Sequence, residues 1–478
     1  MSNGLDQAAA ERRRVLFVTG RLAEPALRRV LADMQPEFGC DVTVMGITVA
    51  ALMTTEWIAR TLTVPPGTDL VLLPGLCEGD TGPLAARVGV AVEKGPKDLR
   101  EIPAYFGRVA AAHGYGGWDI EIVAEINNAP RLSAGEMRAA ADYFHAAGAD
   151  VIDIGCTPGL PFPTLGDTVR DLVSAGMRVS VDSFDRDEIR TAVAAGAELV
   201  LSVNAANLDV ARDLAGTPAR VVALPDPGGG LESLDPIVEQ LETWGVGYLV
   251  DPILEPIGFG FTRSIERYAA ARRRFPAAPM LMGIGNVTEL TAADSTGVNA
   301  LLIAMCQELG IRTVLTTEVI PWARGAVREV DVARRLMHYA VTRQTLPKGV
   351  DDRLVTVKDP AVLTFTEEEL RALQSQITDP NFRIFADRGG ITVLNNEQFI
   401  RWSDPARLDD LFAQLHVSEP THAFYLGREL ARASLAAMLG KTYRQDGALS
   451  WGYLTPADEP HHGRVTLTQR SKPRNPPR

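Results

Sequence analysis

Eight places in this sequence pair a short apolar run with a polar residue at its end. The polar residues are Asn127 with Asn128, Asp153, Asp182, Asn204, Asp226, Asp251, Asn286, and Thr317 with Glu318. One acid after a strand is ordinarily the N-cap of the next helix. Eight in succession are more than capping requires. Their types are carboxylates and amides, with almost no His, Cys or Lys, so the set has the look of neither a Schiff-base site nor a zinc site. It suits a flat heterocycle with alternating donors and acceptors. A carboxylate accepts two N–H bonds from an amidine-like edge, and an amide supplies one donor and one acceptor. A 2-amino-4-oxo pyrimidine edge fits that set. Carboxylates in such a place could also take Mg2+ together with a ligand phosphate.

The elements that must position these residues repeat. The apolar runs are "DIEIVAEINN" (119–128), "DVIDIG" (150–155), "RVSVDS" (178–183), "ELVLSVN" (198–204), "ARVVALPD" (219–226), "GYLVDP" (247–252), "PMLMGIGN" (279–286) and "RTVLTTE" (312–318). Helical stretches such as "SAGEMRAAADYFHAAGA" (133–149) and "RDEIRTAVAAGA" (186–197) lie between them, several ending in a Gly suited to a helix C-terminus. Eight strand–helix units predict a (β/α)8 TIM barrel, whose strand ends converge on one mouth. An open doubly wound sheet is the rival reading, and the short connections favour closure.

The barrel occupies 116–342 and has a domain on either side. In 1–115, "RVLFVTG" (14–20), "DVTVMGI" (41–47), "DLVLLPGL" (69–76) and "RVGVAVEKGP" (87–96) alternate with helical stretches. That pattern predicts a Rossmann- or flavodoxin-like parallel sheet covered on both faces. The stretch after its first strand, "TGRLAEPALRR", has neither dinucleotide nor phosphate-loop spacing. A docking or scaffold role is the favoured reading of this domain over an independent ligand site. Residues 343–468 read as an α+β domain. It has a hairpin in "NFRIFADRGGITVLNN" (381–396) turning at Gly389-Gly390, and a long amphipathic helix within 421–447 that exposes Arg428, Glu429 and Arg432. His422 reads as a surface histidine, and the basic, Pro-rich 469–478 as a disordered tail.

A chain of 478 residues needs two or three domains. Its net charge of -12 argues against nucleic acid as a partner. No apolar run is long enough for a membrane span, and "MSNGLDQAAAERRR" has no secretory signal. Cys40, Cys77, Cys156 and Cys306 lie far apart, as reduced thiols of a cytoplasmic protein would.

The motifs resemble the pterin-binding superfamily, that is, dihydropteroate synthase and the pterin-dependent methyltransferases. "GADVIDIG" (148–155) resembles the second-strand motif and "VSVDSFDRDEIRTAVAAGAELV" (179–200) the third strand and its helix. "LVDPILEPIGFG" (249–260) resembles the sixth, with an insertion, and "EINNAP" (125–130) is similar to the first, matching its Asn to Asn127. The layout resembles the dihydropteroate-synthase-related proteins of archaea and methylotrophic bacteria, linked to tetrahydromethanopterin synthesis. "HAFYLGRELARASLAAMLGKTYRQDG" and "LFVTGRLAEP…ITVAALMT" are similar to their C- and N-terminal domains. The resemblance implies that Asp182, Asn204 and Asp251 hydrogen-bond a pterin, Asp251 as a bidentate acceptor. It places Asp153 at the pterin site through its loop, and Asn127 near diphosphate or Mg2+. Three departures stand out. Strand seven ends "GIGNVTEL" with no synthase Lys, and this stretch resembles the methyltransferase version, whose Asn lies by the pterin nitrogen carrying the methyl group. Strand eight reads "TTEVIPWARG", with Arg324 as its nearby cation in place of the usual Arg and His. The second-strand loop reads "CTPGLPFP".

Two enzyme readings and one non-enzyme reading follow. In the first, a transferase of the synthase type joins a dihydropterin diphosphate to an arylamine, the ribofuranosyl-aminobenzene phosphate of methanopterin synthesis. Asn127, Asn286 and Arg324 are then the catalytic candidates, and Asn127, Arg263 and Arg324 the diphosphate ligands, with Mg2+ at Asn127. In the second, the barrel moves a one-carbon unit on a reduced pterin and Asn286 contacts the ring nitrogen. In the third, the chain is a pterin-binding scaffold. A homodimer or a complex of pathway enzymes is the expected assembly.

Overall fold

The computed structural model describes residues 14–455 apart from 35, 37, 49, 51–52, 97–98, 100–101, 107–113 and 361–364, so the proposed tail at 469–478 lies outside the described residues. The chain divides into two compact units. One carries the N-terminal sheet together with Ala304–Arg312 and Arg334–Asp351, and the other carries the barrel strands and the C-terminal sheet.

The first unit opens with β1 (Arg14–Thr19), α1 (Glu24–Met34), β2 (Gly39–Val44), α2 (Thr55–Thr61), β3 (Leu70–Leu73), α3 (Gly82–Val88), β4 (Ala91–Lys94) and the short α4 (Ile102–Tyr105). The four strands are parallel, in the order β2-β1-β3-β4. Alternate residues of β1 and β3 enter different cores. Leu16, Val18, Val71 and Leu73 pack on one face, and Val15, Phe17, Leu70 and Leu72 on the other. Both faces are therefore covered, which is why these strands read as unbroken apolar runs.

The barrel strands, all in the second unit, follow with their connecting helices, of which the segments 304–309 and 334–343 belong to the first unit. They are β5 (Glu121–Ile126), α5 (Ala134–Ala147), β6 (Val151–Gly155), α6 (Leu165–Ser174), β7 (Arg178–Asp182), α7 (Arg186–Ala195), β8 (Leu199–Val203), α8 (Asp209–Arg212), β9 (Arg220–Ala223), α9 (Leu234–Trp244), β10 (Gly247–Val250), α10 (Phe261–Arg274), β11 (Leu281–Gly283), α11 (Gly285–Thr288), α12 (Ser295–Leu309), β12 (Thr313–Thr316) and α13 (Ala326–Arg343). All ladders are parallel, in the order β10-β9-β8-β7-β6-β5-β12-β11. A parallel bridge between Val250 and Met280, with Val250 N–H donating to the Pro279 carbonyl at 2.9 Å, joins the two ends. The sheet is closed, and the doubly wound alternative is excluded. Local signals set the helices. Ser133 and Glu136 form a capping box on α5, Asp185 caps α7, and Gly148, Gly196 and Gly245 end α5, α7 and α9 in the left-handed conformation.

The chain ends with α14 (Glu367–Gln374), β13 (Arg383–Asp387), β14 (Gly390–Leu394), β15 (Phe399–Trp402), α15 (Leu408–Phe412), α16 (Pro420–Leu439) and β16 (Tyr443–Arg444). The strands form an antiparallel sheet, β15-β14-β13-β16, and residues of α16 and α15 share its core. The hairpin turns at Arg388-Gly389, one residue earlier than the sequence suggests, because Gly390 already pairs with Asp387. A second correction concerns α16. Arg428 and Arg432 keep half-exposed side chains, but Glu429 is fully buried. Its carboxylate accepts from the Tyr443 hydroxyl, from the Asp446 N–H at 3.0 Å and from Arg432 at 3.2 Å. Amphipathic spacing alone cannot show a partner supplied from β16.

Candidate functional site

The barrel interior is layered. Val123, Val151, Leu199, Leu201, Val222, Leu249 and Leu281 pack together inside it, with Leu224 and Leu315 against them. Side chains alternate along a strand, so the inward position two residues further on belongs to the mouth. From Val123, Val151, Leu224, Leu249 and Leu315 this step reaches Glu125, Asp153, Asp226, Asp251 and Thr317. On β7 the inward Ser180 leads in the same way to Asp182. On β11 the step reaches Gly283, which has no side chain, and the polar group comes instead from Asn286 on α11. A register shift between Leu201 and Val203 breaks the alternation on β8, where Asn204 follows the strand.

Three carboxylates meet in this layer. Oxygens of Glu125, Asp153 and Asp182 all lie within 4.8 Å of one another. Glu125 is absent from the ring read from the sequence. Gly155 makes room for it, since a Cβ there would lie 2.7 Å from Glu125 Oε1. Asp153 is wholly buried, and its Oδ1 accepts from the Ser180 hydroxyl at 2.5 Å. Its buried Oδ2 has no hydrogen-bond partner among the described residues. Asp182 has no side-chain hydrogen bond among the described residues. Burial, reinforced by Asp182 and Glu289, pushes the Glu125 carboxyl up to about 7. Burial takes Asp182 to about 6. It also holds Asp153 well above the usual carboxylate range, helped by its two acidic neighbours and opposed by Ser180. Like charges this close cannot all ionise together. The trio either shares protons or is built to receive a cation.

The sixth strand delivers a different carboxylate. Asp251 is 8% exposed, and its Oδ1 accepts from the Tyr268 hydroxyl and from the Ile253 N–H at 2.7 Å. Oδ2 has no protein donor among the described residues. Burial raises this carboxyl to about 6 against the opposing pull of Tyr268, the Ile253 N–H and Arg267. Ile253 itself sits at φ 69, a left-handed conformation that a β-branched residue rarely takes. Arg267 holds it there, donating to the carbonyls of Pro252 at 2.6 Å and Ile253 at 2.5 Å.

The amides are oriented too. Asn286 Nδ2 donates to the Leu254 carbonyl at 3.0 Å, which leaves its Oδ1 as an acceptor unengaged among the described residues. Asn204 Oδ1 accepts from the Ala206 N–H at 3.0 Å, which leaves its Nδ2 as a donor unengaged among the described residues. Asn127 is committed at both ends, donating to Glu125 Oε1 at 2.7 Å and accepting from the Thr317 hydroxyl. Two ring members serve the scaffold. Asp226 accepts from the Ala205 N–H at 3.0 Å. Glu318 accepts from Gly325 and Val327 N–H at 2.9 and 3.0 Å, ahead of and within the first turn of α13.

The two arginines expected at a diphosphate are not joined to the trio. Arg263 is exposed at the start of α10, with its guanidinium near Gly260. Arg324 is exposed and lies near enough to Tyr143 to oppose the rise in its pKa. The cation wired into the sixth-strand loop is Arg267, one helical turn beyond Arg263. No described helix is long and apolar enough to cross a membrane.

Comparison with known proteins gives matches to both flanking domains. Residues 13–97 match a family of unknown function, DUF6513, and residues 381–446 match the family PterinBD-DUF4346. An uncharacterised protein of Methanocaldococcus jannaschii is 27% identical over 521 residues, spanning 91% of this chain and 98% of its own length. Among solved structures, dihydropteroate synthase of Yersinia pestis with a pterine-sulfa conjugate is 17% identical at a TM-score of 0.38. The match covers 48% of this chain and 95% of that one. The Xanthomonas albilineans dihydropteroate synthase with indole-2-carboxylic acid and 6-chloroguanine is 22% identical at 0.37, covering 47% and 93%.

Proposed function

We propose that the barrel mouth binds a reduced pterin, and that the protein is a transferase of the dihydropteroate synthase type in tetrahydromethanopterin synthesis. One observation carries the pterin reading: the mouth has a surplus of unengaged acceptors. Asp251 Oδ2, both oxygens of Asp182 and Asn286 Oδ1 lack protein donors among the described residues, and Asn204 Nδ2 is the matching donor. A dihydropterin is rich in N–H groups along its 2-amino-3H edge and at its ring nitrogens, with a carbonyl oxygen for the amide N–H. Asp251 takes the pyrimidine edge, held in place by Tyr268 and the Ile253 N–H. Asn204, Asp153 and Asp182 complete the pterin site, and Asn286 faces the reacting end.

In the transferase reaction the bond from the pterin methylene carbon to the diphosphate oxygen breaks. The arylamine nitrogen bonds to that carbon and releases a proton. An aniline nitrogen is already neutral, so catalysis rests on positioning and on stabilising charge at the leaving group. Glu125, Asp153 and Asp182 fit a divalent cation better than Asn127, whose amide is engaged at both ends. Mg2+ held there would supply positive charge beside the diphosphate, with Arg263 and Arg324 as the outer cations. The match over nearly the full length of the Methanocaldococcus jannaschii protein supports a shared multi-domain layout of the archaeal type.

One-carbon transfer on a reduced pterin is the second reading. The observation favouring it is Asn286, an oriented amide where the family resemblance leads one to expect a lysine, together with the absence of a cation bonded to the trio among the described residues. The deciding experiment mixes the protein with 6-hydroxymethyl-dihydropterin diphosphate, Mg2+ and either p-aminobenzoate or the ribosylated arylamine phosphate. Diphosphate release with the ribosylated amine supports the transferase. Tight pterin binding without release favours the second reading.

A further inference from the structure

We propose that the N-terminal unit carries a small-molecule site of its own, for a neutral, mainly apolar ligand of one or two fused rings bearing a single polar group. The sheet order places the site. From β1 the chain turns to one side to form β2, then returns past β1 to form β3 and β4. The strand order therefore reverses between β1 and β3, and the crevice outside their carboxyl ends is where open α/β sheets bind ligands.

A cavity of about 330 Å³ lies there, lined by the ends of β1 and β3, the start of α1, and Gly95, Pro96 and Leu99 after β4. That volume falls within the size range of small-molecule sites. Two glycines let the walls approach. A Cβ on Gly75 would lie 2.4 Å from the Pro96 carbonyl, and one on Gly20 would lie 2.9 Å from the Ala50 nitrogen.

The lining sets the ligand's chemistry. Apolar side chains such as Phe17, Leu27 and Leu72 form it, and no charged side chain lines it among the described residues. The start of α1 offers no anion cradle. The Glu24 N–H is already bonded to the Gly20 carbonyl, and Pro25 has no N–H. A phosphate-bearing ligand is thereby disfavoured. One polar group is available. Thr19 is 3% exposed and lines the cavity, yet among the described residues its hydroxyl makes only a 3.5 Å contact with the Gly20 carbonyl, at the long limit for such a bond. A buried hydroxyl so weakly engaged calls for a partner. Leu22 and Leu76, 71% and 49% exposed, also belong to the lining, so its apolar surface reaches solvent.

The test uses 1-aminoanthracene, a neutral fused-ring dye with one amine, titrated onto the full-length protein by fluorescence. The expected result is saturable one-to-one binding. Thr19→Val, which keeps the shape and removes the hydroxyl, should weaken it about fivefold. Ala23→Trp, which fills the cavity, should weaken it more than about tenfold. Leu22→Asp, at an exposed position that the fold tolerates, supplies the same reading if Ala23→Trp does not fold. Asp251→Asn, in the barrel, should leave dye binding unchanged. Absence of saturable binding overturns the proposal. So does binding that resists both Ala23→Trp and Leu22→Asp, or binding that is lost in Asp251→Asn.

Discussion

The Tyr268 hydroxyl donates to Oδ1 of Asp251, and both residues are buried, so one oxygen of the carboxylate is fixed by the protein and the other is left for a ligand. Tyr268 also helps to keep Asp251 ionised, because its hydrogen bond opposes the upward push of burial. Tyr268→Phe should therefore raise the Asp251 pKa beyond about 6 and weaken pterin binding several-fold at pH 7. The loss should grow as pH falls, because a carboxyl protonated at its free oxygen presents a donor where the ligand also donates. Calorimetric titrations at pH 6 and pH 8 check this. Equal losses at both pH values would show that Tyr268 only packs.

The acidic trio makes a prediction about stability. The Glu125 carboxyl rises from an ordinary 4.5 to about 7 in the folded chain. Between those values the folded state holds a proton that the unfolded chain has released, so stability falls as pH rises through this window. Glu125→Gln removes the cost while keeping an oxygen for Asn127. Urea denaturation should show the variant gaining on the order of 1–2 kcal/mol over the native protein between pH 5 and pH 7.5. Added Mg2+ should stabilise the native protein at pH 7.5 and not the variant. A variant with the native pH slope would remove Glu125 from the coupled set.

Asn286 is held by Leu254 with its carbonyl oxygen unengaged. If that oxygen meets the reacting end of the pterin, Asn286→Ala should lower kcat by at least about thirtyfold while KM changes by less than about threefold. Steady-state kinetics of diphosphate release give both numbers. An equal loss in each would make Asn286 a binding residue.

Glu429, buried among Tyr443, Arg432 and the Asp446 N–H, is a structural acid. Glu429→Gln replaces an acceptor of charged donors with a neutral amide. It should destabilise the unit by about 2–4 kcal/mol without changing pterin affinity. Thermal melts beside calorimetry separate the two effects.

The barrel was legible because its signals are local and repeated: apolar runs, helix-capping residues at Ser133 and Asp185, and glycines at Gly148 and Gly196. The site was legible only in part. Glu125 escaped because the strand was read to its terminal amides, Asn127 and Asn128. The alternation fixed by Val123 points to Glu125 instead, and Gly155 on the next strand was the second clue. Arg267 had no sequence signal, being one of several arginines on α10, and only the loop carbonyls of Pro252 and Ile253 distinguish it from Arg263. The same limit hid the burial of Glu429, which depends on a strand that follows its helix.

The central claim is that the mouth recognises a pterin through Asp251. Calorimetric titration of 6-hydroxymethyl-7,8-dihydropterin tests it most directly. The account predicts one-to-one binding to the native protein at pH 7.5, weakened at least about thirtyfold in Asp251→Asn, because the amide presents a donor where the ligand also donates. No binding to the native protein, or equal affinity in the two proteins, would contradict it.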